Sequence, residues 1–149
     1  MRRAPTETRA IFIRDAAPGD CERIRKLLTE LGYPPDPATL SERLERAGAE
    51  PTIRLFVAEL DGAVVGFASL HVLHLIERPP LGRLSAIVVS ATSRRGGVGR
   101  ALVDRVEREA RAAGCDRLEV TSGEWRFDAH AFYGDLGFEE TSKRFIKGL

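Results

Sequence analysis

Three arginines and three glycines occur together in residues 94–100, between an apolar strand pattern and an amphipathic helix pattern. The N–H groups of a helix's first turn have no partner inside the helix, and glycine lets the backbone approach a ligand closely. Arg94, Arg95 and Arg100 add positive charge to this segment. The pattern predicts a site for an anion, with an ordinary glycine-containing turn as the alternative.

Two common nucleotide-binding loops do not fit this segment. The Gly-Lys-Ser/Thr ending of a P-loop is missing, which disfavours hydrolysis of ATP or GTP. Gly96, Gly97 and Gly99 also lack the Gly-x-Gly-x-x-Gly spacing of a dinucleotide-binding fold. The strand pattern before them follows a hairpin meander instead of opening a βαβ unit, so a dinucleotide fold is disfavoured as well.

Hydrophobic spacing predicts the elements that hold the loop. Helices are expected at 20–31, at 38–48, at 98–113 and at 129–136, and strands at 11–13, 53–60, 63–76, 84–89, 117–122 and 145–146. The order β-α-α-β-β-β-α-β-α-β predicts an α/β fold with a mixed, mostly antiparallel sheet and helices on both faces.

Composition limits the function further. The chain has 149 residues and a net charge of +1 with no long basic block, which fits one domain over 1–149 and gives no sign of nucleic-acid binding. Cys21 and Cys115 lie far apart without metal-ligand spacing, which favours reduced thiols and no metal. No apolar run suits a membrane span or a secretory signal, so we expect a cytoplasmic protein whose residues 1–9 are flexible.

Two motifs at a consistent separation resemble one known family. Arg94-x-x-Gly97-x-Gly99 follows an apolar strand and precedes an amphipathic helix, and Ala129, Tyr133 and the pair Gly137-Phe138 follow some thirty residues later. Together with the order of elements over nearly the whole chain, this resembles the GCN5-related N-acetyltransferases. Arg95 stands where that family usually has glycine, Arg126 where it often has asparagine, and Ala91 where proline is common.

The resemblance implies a site for acetyl-CoA and a catalytic tyrosine. Tyr133 would protonate the leaving thiolate, with a core tyrosine beside Phe132 as the alternative. The loop would hold the CoA pyrophosphate, and strand 84–89 would offer its backbone to the pantetheine arm where it separates from strand 117–122. The cofactor-binding residues expected on this basis are Ile87, Val88, Val89, Arg94, Arg95, Gly96, Gly97, Val98, Gly99, Arg100, Arg126 and His130.

The base that deprotonates the acceptor amine stays open at this point. The candidates are His71, His74, Glu77, Glu124, Asp128 and a water molecule. If both histidines lie on one strand, they point to opposite faces and at most one meets the substrate. Ser85 is a further possible substrate contact, and Trp125 with Phe127 is a possible lining of the acceptor pocket.

The resemblance therefore implies an N-acetyltransferase that moves acetyl from acetyl-CoA to a primary amine by direct attack, without a covalent enzyme intermediate. An acyl-CoA-binding sensor without turnover and a binder of nucleotide phosphates are the competing hypotheses. An aminoglycoside, a polyamine, an amino acid and a protein N-terminus all remain possible acceptors. An acidic pocket built from Glu77, Glu124 and Asp128 would suit a cationic amine, and a homodimer is a family-level expectation.

Overall fold

The structure is a computed structural model that describes residues 10–121, 127–141 and 144–149, with Phe127 and Asp128 described by their backbone alone. Five strands form one sheet in the order β1-β2-β3-β4-β5. The strands are β1 (Ile11–Asp15), β2 (Ile53–Leu60), β3 (Ala63–Leu73), β4 (Leu81–Val89) and β5 (Arg117–Val120). The first four pair antiparallel, and only β5 runs parallel to its neighbour β4.

Among the described residues, four α-helices lie on the two faces of this sheet: α1 (Cys21–Leu31), α2 (Pro37–Gly48), α3 (Val98–Ala112) and α4 (Phe127–Asp135). One core cluster joins α3 to residues such as Phe56 and Leu70 of the sheet. A second cluster joins α1 and α2 to the opposite face, through residues such as Val57 and Phe67. The alternation of side chains along a strand explains this division, because neighbouring strand residues face opposite sides. The expected α/β architecture with helices on both faces is confirmed.

Short local signals set the ends of the elements. Gly32 ends α1 with φ of 101°, a left-handed conformation that suits glycine. Asp36 caps α2 by accepting a hydrogen bond from the Thr39 backbone N–H at 3.1 Å, and Pro37 occupies the first turn. Asp61 and Gly62 both have positive φ, 53° and 78°, as a tight hairpin turn between β2 and β3 requires.

The strand predicted at 63–76 is shorter than expected, and the strand predicted at 84–89 is longer. Leu81, the first residue of β4, pairs with Leu73, so β3 ends there and residues 74–80 form the connection. His74 is therefore not a strand residue, and the expectation that His71 and His74 share a strand is wrong. Pro79 and Pro80 in this connection cannot donate ladder hydrogen bonds, which explains why the apolar run stops pairing.

The last predicted strand is absent from the described residues. Residues 144–149 carry no strand, and the Phe145 side chain is 92% exposed. A strand needs a paired neighbour, and in the described part of the chain the sheet ends at β5. The expectation of a strand at 145–146 is therefore wrong.

Candidate active site

Strands β4 and β5 separate halfway along β4. Their parallel pairing runs from Leu81, opposite Arg117, to Leu84, opposite Val120, where β5 ends. β4 continues to Val89, which still pairs with Gly66 of β3 on its other side. A strand without a neighbour presents unpaired backbone groups along that edge. Within the described residues, positions 85–89 of β4 therefore form an open edge, which contains the predicted Ile87, Val88 and Val89.

A bulge marks the point where the open edge begins. Ser69 of β3 pairs with Ala86 and Leu70 pairs with Leu84, so Ser85 is the extra residue on β4. The hydroxyl groups of Ser69 and Ser85 hydrogen-bond to each other. Ser69 is buried, at 5% exposed, whereas Ser85 is exposed. Ser85 is thus held by a buried partner at the place where β4 leaves β5.

The glycine-rich loop leads directly from β4 into α3. A 3-10 turn (Ala91–Ser93) follows β4, and the chain then passes through Arg95 and Gly97 with φ of 67° and 86°. No side chain caps the N-terminus of α3, which begins at Val98. The N–H groups of the first helical turn have no intrahelical partner, and the helix dipole adds partial positive charge there. The first turn of α3 thus has the donors and the field that an anion site requires.

Arginines surround this helix end without neutralising partners. The Nε–H of Arg94 donates to the Val89 carbonyl oxygen at 3.3 Å. Arg94, Arg95 and Arg100 are exposed, and none of them forms an ion pair with another described residue. Three uncompensated cations beside the uncapped helix end strengthen the attraction for a polyanion.

Helix α4 packs against the same end of α3. A Cβ built on Gly99 would lie 2.9 Å from Phe132 Cζ and 3.2 Å from Phe132 Cε2, closer than such atoms normally approach. Phe132 in turn packs against the core on the α3 face. Gly99 therefore serves helix–helix packing as well as the loop, and it brings α4 beside the predicted anion site.

Tyr133 follows Phe132 on this helix. Its ring centroid lies 5.6 Å from that of Phe132 and 5.7 Å from that of Phe138, the latter in an edge-to-face arrangement. Its carbonyl oxygen accepts hydrogen bonds from the N–H groups of Leu136 and Phe138 where the helix ends. The partly buried ring is thus fixed by two aromatic neighbours, which limits its rotamers.

A cleft of about 430 Å³ lies between α2 and the sheet face of β2 and β3. Its lining residues are Arg43, Leu44, Arg46, Ala47, Glu50, Ile53, Leu55, Phe67, Ser69 and His71. Through the hydrogen bond between Ser69 and Ser85, this cleft is connected to the bulge at the open edge of β4. The cleft and the open edge therefore meet at the two serines.

Of the predicted bases whose side chains the structure describes, His71 alone lines this cleft. Burial lowers its pKa from the ordinary value of 6.5, and the positive charge of Arg83, its cross-strand neighbour, lowers it further. Arg83 is itself paired with Glu119 at 2.6 Å. A lowered pKa keeps the imidazole neutral near pH 7, and only the neutral form accepts a proton.

The other predicted bases with described side chains, and His130, do not line this cleft. His74 and Glu77 are exposed in the connection between β3 and β4, and His130 is exposed on α4. Glu124, Trp125 and Arg126 lie outside the described residues. The side chains of Phe127 and Asp128 are likewise not described.

Sequence reasoning missed Ser69 and the arginines of α2. Ser69 is the only polar side chain in residues 63–70, a signal that was available in the sequence. Arg43 and Arg46 resemble ordinary solvated helix residues in the sequence, and only the packing of α2 on β2 shows that they line one cleft with His71. The described residues contain no cluster of His, Cys, Asp and Glu that could hold a metal. In the same part of the chain, no helix is both long and apolar enough to cross a membrane.

Comparisons with known proteins agree on one family. A family model described as the acetyltransferase (GNAT) family matches residues 21–138. The aminoglycoside N(6')-acetyltransferase type 1 of Stenotrophomonas maltophilia is 35% identical over 136 residues, 88% of this chain and 88% of that protein. The aminoalkylphosphonate N-acetyltransferase of Salmonella typhimurium is 35% identical over 101 residues, 67% of this chain and 66% of that protein. A solved aminoglycoside N-acetyltransferase in complex with CoA shares the fold, with a TM-score of 0.86 at 22% identity over 99% of each chain.

Proposed function

The chain belongs to the acetyltransferase (GNAT) family, and on that premise we propose that it transfers acetyl from acetyl-CoA to a primary amine by direct attack. Its class is that of an acetyl-CoA-dependent N-acetyltransferase, as the sequence resemblance implied. By their names, the two relatives described above acetylate an aminoglycoside and an aminoalkylphosphonate. Small molecules that carry an amine are therefore the acceptor class we propose here.

The single observation that carries the proposal is the uncapped N-terminus of α3 beside the open edge of β4. The N–H groups of Val98, Gly99 and Arg100 would hold the CoA pyrophosphate, and the exposed Arg94 and Arg95 would contact its phosphates. Gly96 and Gly97 keep side chains away from the same backbone. The donors and charges present thus fit a diphosphate. We also propose that the exposed His130, and Arg126, which lies outside the described residues, bind CoA.

The open edge of β4 suits an extended arm that carries amide groups. N–H and C=O groups alternate along a strand edge, so an added chain can pair with positions 85–89 as a further strand would. Ile87, Val88 and Val89 would bind the pantetheine arm in this way. Acetyl-CoA, when bound, supplies an activated acetyl thioester whose sulfur is the leaving group.

We propose His71 as the base and Tyr133 as the acid of the transfer. The neutral imidazole of His71 lines the cleft that reaches Ser69 and Ser85, so it can take the proton of an amine bound there. Tyr133 retains its phenolic proton at neutral pH and would give it to the thiolate that departs. Ser85, exposed at the bulge, would orient the amine through its hydroxyl group.

A cysteine nucleophile is not part of this proposal. Burial raises the pKa of the Cys115 thiol, and the negative charge of Asp116 adds to the effect. A thiol with a raised pKa is mostly protonated at neutral pH and attacks poorly. This supports direct attack by the amine. We further propose that residues 1–149 form a single domain and that the protein acts in the cytoplasm, with a homodimer as a possible assembly.

Tyr133→Phe tests the acid, with Tyr33→Phe as the matched control. Tyr33 is 67% exposed between α1 and α2, away from α4. If the phenol donates a proton, Tyr133→Phe lowers kcat by about a hundredfold or more while the Kd of CoA stays within about twofold. Thiol release and calorimetric CoA binding measure the two quantities. A kcat like that of the Tyr33→Phe control would contradict the assignment, and CoA binding without amine-dependent thiol release in the parent would favour the sensor hypothesis.

A further inference from the structure

The cleft above His71 carries more positive than negative charge among the described residues. Arg43 and Arg46 line it from α2, and Glu50 lines it from the loop after α2. The Glu50 carboxylate already accepts hydrogen bonds from the Thr52 hydroxyl at 3.1 Å and from the Thr52 N–H at 3.4 Å. An acceptor in this cleft therefore meets two guanidinium groups and one carboxylate, that of Glu50, which already accepts two hydrogen bonds from Thr52.

The two arginines differ in how far they are neutralised. Arg43 makes no ion pair with another described residue. Arg46 Nη2 lies 3.6 Å from Glu42 Oε1, and both side chains are largely exposed, so this ion pair is weak. Arg43 and Ala47 are four residues apart on α2, which places them on the same face of the helix. The charge of Arg43 is thus available to a ligand that enters over Ala47.

The floor of the cleft has the opposite character. Ile53, Leu55 and Phe67 supply apolar surface, and polar groups are limited to Ser69 and His71 on the sheet. Ser69 and His71 line the cleft from the sheet and the two arginines line it from α2, so a small ligand can meet different groups on these two sides. The neutral base faces the reacting amine, and the guanidinium groups remain for a second group on the acceptor.

From this arrangement we infer that the acceptor is a primary amine that also carries an anionic group, a phosphonate, phosphate or carboxylate, bound by Arg43 and Arg46. The inference rests on the proposed acetyltransferase function. Guanidinium groups bind such oxyanions through two parallel hydrogen bonds. A polycation such as an aminoglycoside meets like charge in the same cleft. The two arginines would therefore repel polycationic acceptors as well as attract anionic ones. Of the residues expected to form an acidic pocket for a cationic amine, Glu77 does not line this cleft, and Glu124 and the Asp128 side chain lie outside the described residues.

Steady-state kinetics with matched acceptors tests the inference. 2-Aminoethylphosphonate and β-alanine carry an anion, ethanolamine is their neutral counterpart, and kanamycin is a polycation. We expect the kcat/KM of at least one anionic amine to exceed those of ethanolamine and kanamycin by about tenfold or more, as a charge-assisted pair allows. Kanamycin as the best of these acceptors would overturn the inference.

Arg43→Gln locates the effect in the cleft. We expect this change to raise the KM of the preferred anionic amine by about three- to tenfold, because the charge pair is partly exposed. The KM of ethanolamine should rise less than that of the anionic amine, because ethanolamine has no anion for Arg43 to bind. Arg108→Gln is the matched control, since Arg108 is exposed on α3, lies outside the cleft and has no ion pair with another described residue. An equal effect of both variants, or no effect of Arg43→Gln, would overturn the inference.

Measuring the binding of anionic amines distinguishes a failure of this inference from a failure of the proposed function. If no amine releases thiol, the proposed function fails, and calorimetric titration with 2-aminoethylphosphonate and β-alanine still decides the inference. Binding of either that weakens about three- to tenfold in Arg43→Gln but not in Arg108→Gln would support the cleft as an anion-selective site. Binding of neither probe would overturn it.

Discussion

Gly99→Ala tests whether α4 depends on the glycine-rich loop for its position. The added Cβ would lie 2.9 Å from Phe132 Cζ, and the next nearest atom outside that ring is Val89 Cγ2 at 3.7 Å. Overpacking of this kind costs about 1–3 kcal/mol. Alanine in place of glycine inside a helix contributes up to about 1 kcal/mol in the opposite direction. We therefore expect a net loss of about 0–2 kcal/mol in the free energy of unfolding.

Gly48→Ala is the matched control for this change. Gly48 is also a helical glycine, and a Cβ added there meets nothing within 4 Å. We expect it to raise the free energy of unfolding by about 0.5 kcal/mol, since only helix propensity changes. Urea unfolding measures both variants on one scale.

A double-mutant cycle assigns the cost of Gly99→Ala to one contact. Phe132→Leu shortens the ring side chain that meets the new Cβ, so the loss from Gly99→Ala should shrink when both changes are combined. Because Tyr133 follows Phe132, we also expect Gly99→Ala alone to lower kcat severalfold. A Gly99→Ala variant as stable and active as Gly48→Ala would refute the packing argument.

Two further predictions concern the loop and the cleft. Arg95 has a φ of 67°, so Arg95→Gly should relieve backbone strain and raise the free energy of unfolding by about 0–1 kcal/mol. The same change removes a cation, so CoA binding should weaken several-fold and become less dependent on salt. Unchanged CoA affinity in calorimetry would count against the anion site. His71 accepts a proton only when it is neutral, so kcat/KM should fall as the pH drops through the lowered pKa of His71. His71→Gln should abolish this pH dependence, whereas His74→Gln, at an exposed residue, should not. A pH profile that persists in His71→Gln would exclude His71 as the base. The charged groups that face His71 are Arg83, paired with Glu119, and the cleft residues Arg43, Arg46 and Glu50.

The elements governed by local chemistry were predictable. Gly32 ends α1 and the Asp61-Gly62 turn joins β2 to β3 as expected, because positive φ is a local requirement that these residue types meet. The loop before α3 was predictable for the same reason. The loop has Arg95 where the family usually has glycine. The backbone at Arg95 is left-handed, which explains why glycine suits that position.

Features that depend on pairing between distant residues were not predictable. The apolar run after Leu73 resembles strand, yet β4 begins pairing at Leu81 and leaves His74 in a connection. The apolar pair at 145–146 likewise has no strand among the described residues. Periodicity within one segment does not reveal whether a neighbour is present to complete the ladder.

The candidate site likewise has one part that could be predicted from the sequence and one part that could not. The residues of the glycine-rich loop follow one another in the chain, so their spacing alone pointed to an anion. The cleft, in contrast, combines Arg43 of α2 with Ser69 and His71 of β3, and the packing of α2 on β2 brings them together. The sequence therefore did not select one base among the candidates, and of the three whose side chains are described, His71, His74 and Glu77, His71 alone lines the cleft.

Thiol release from acetyl-CoA, followed across a panel of primary amines with and without an anionic group, tests the central claim most directly. The account predicts release that requires an amine, saturates with it and falls by about a hundredfold or more in Tyr133→Phe. CoA binding at the loop with no amine-dependent release across the panel would contradict it.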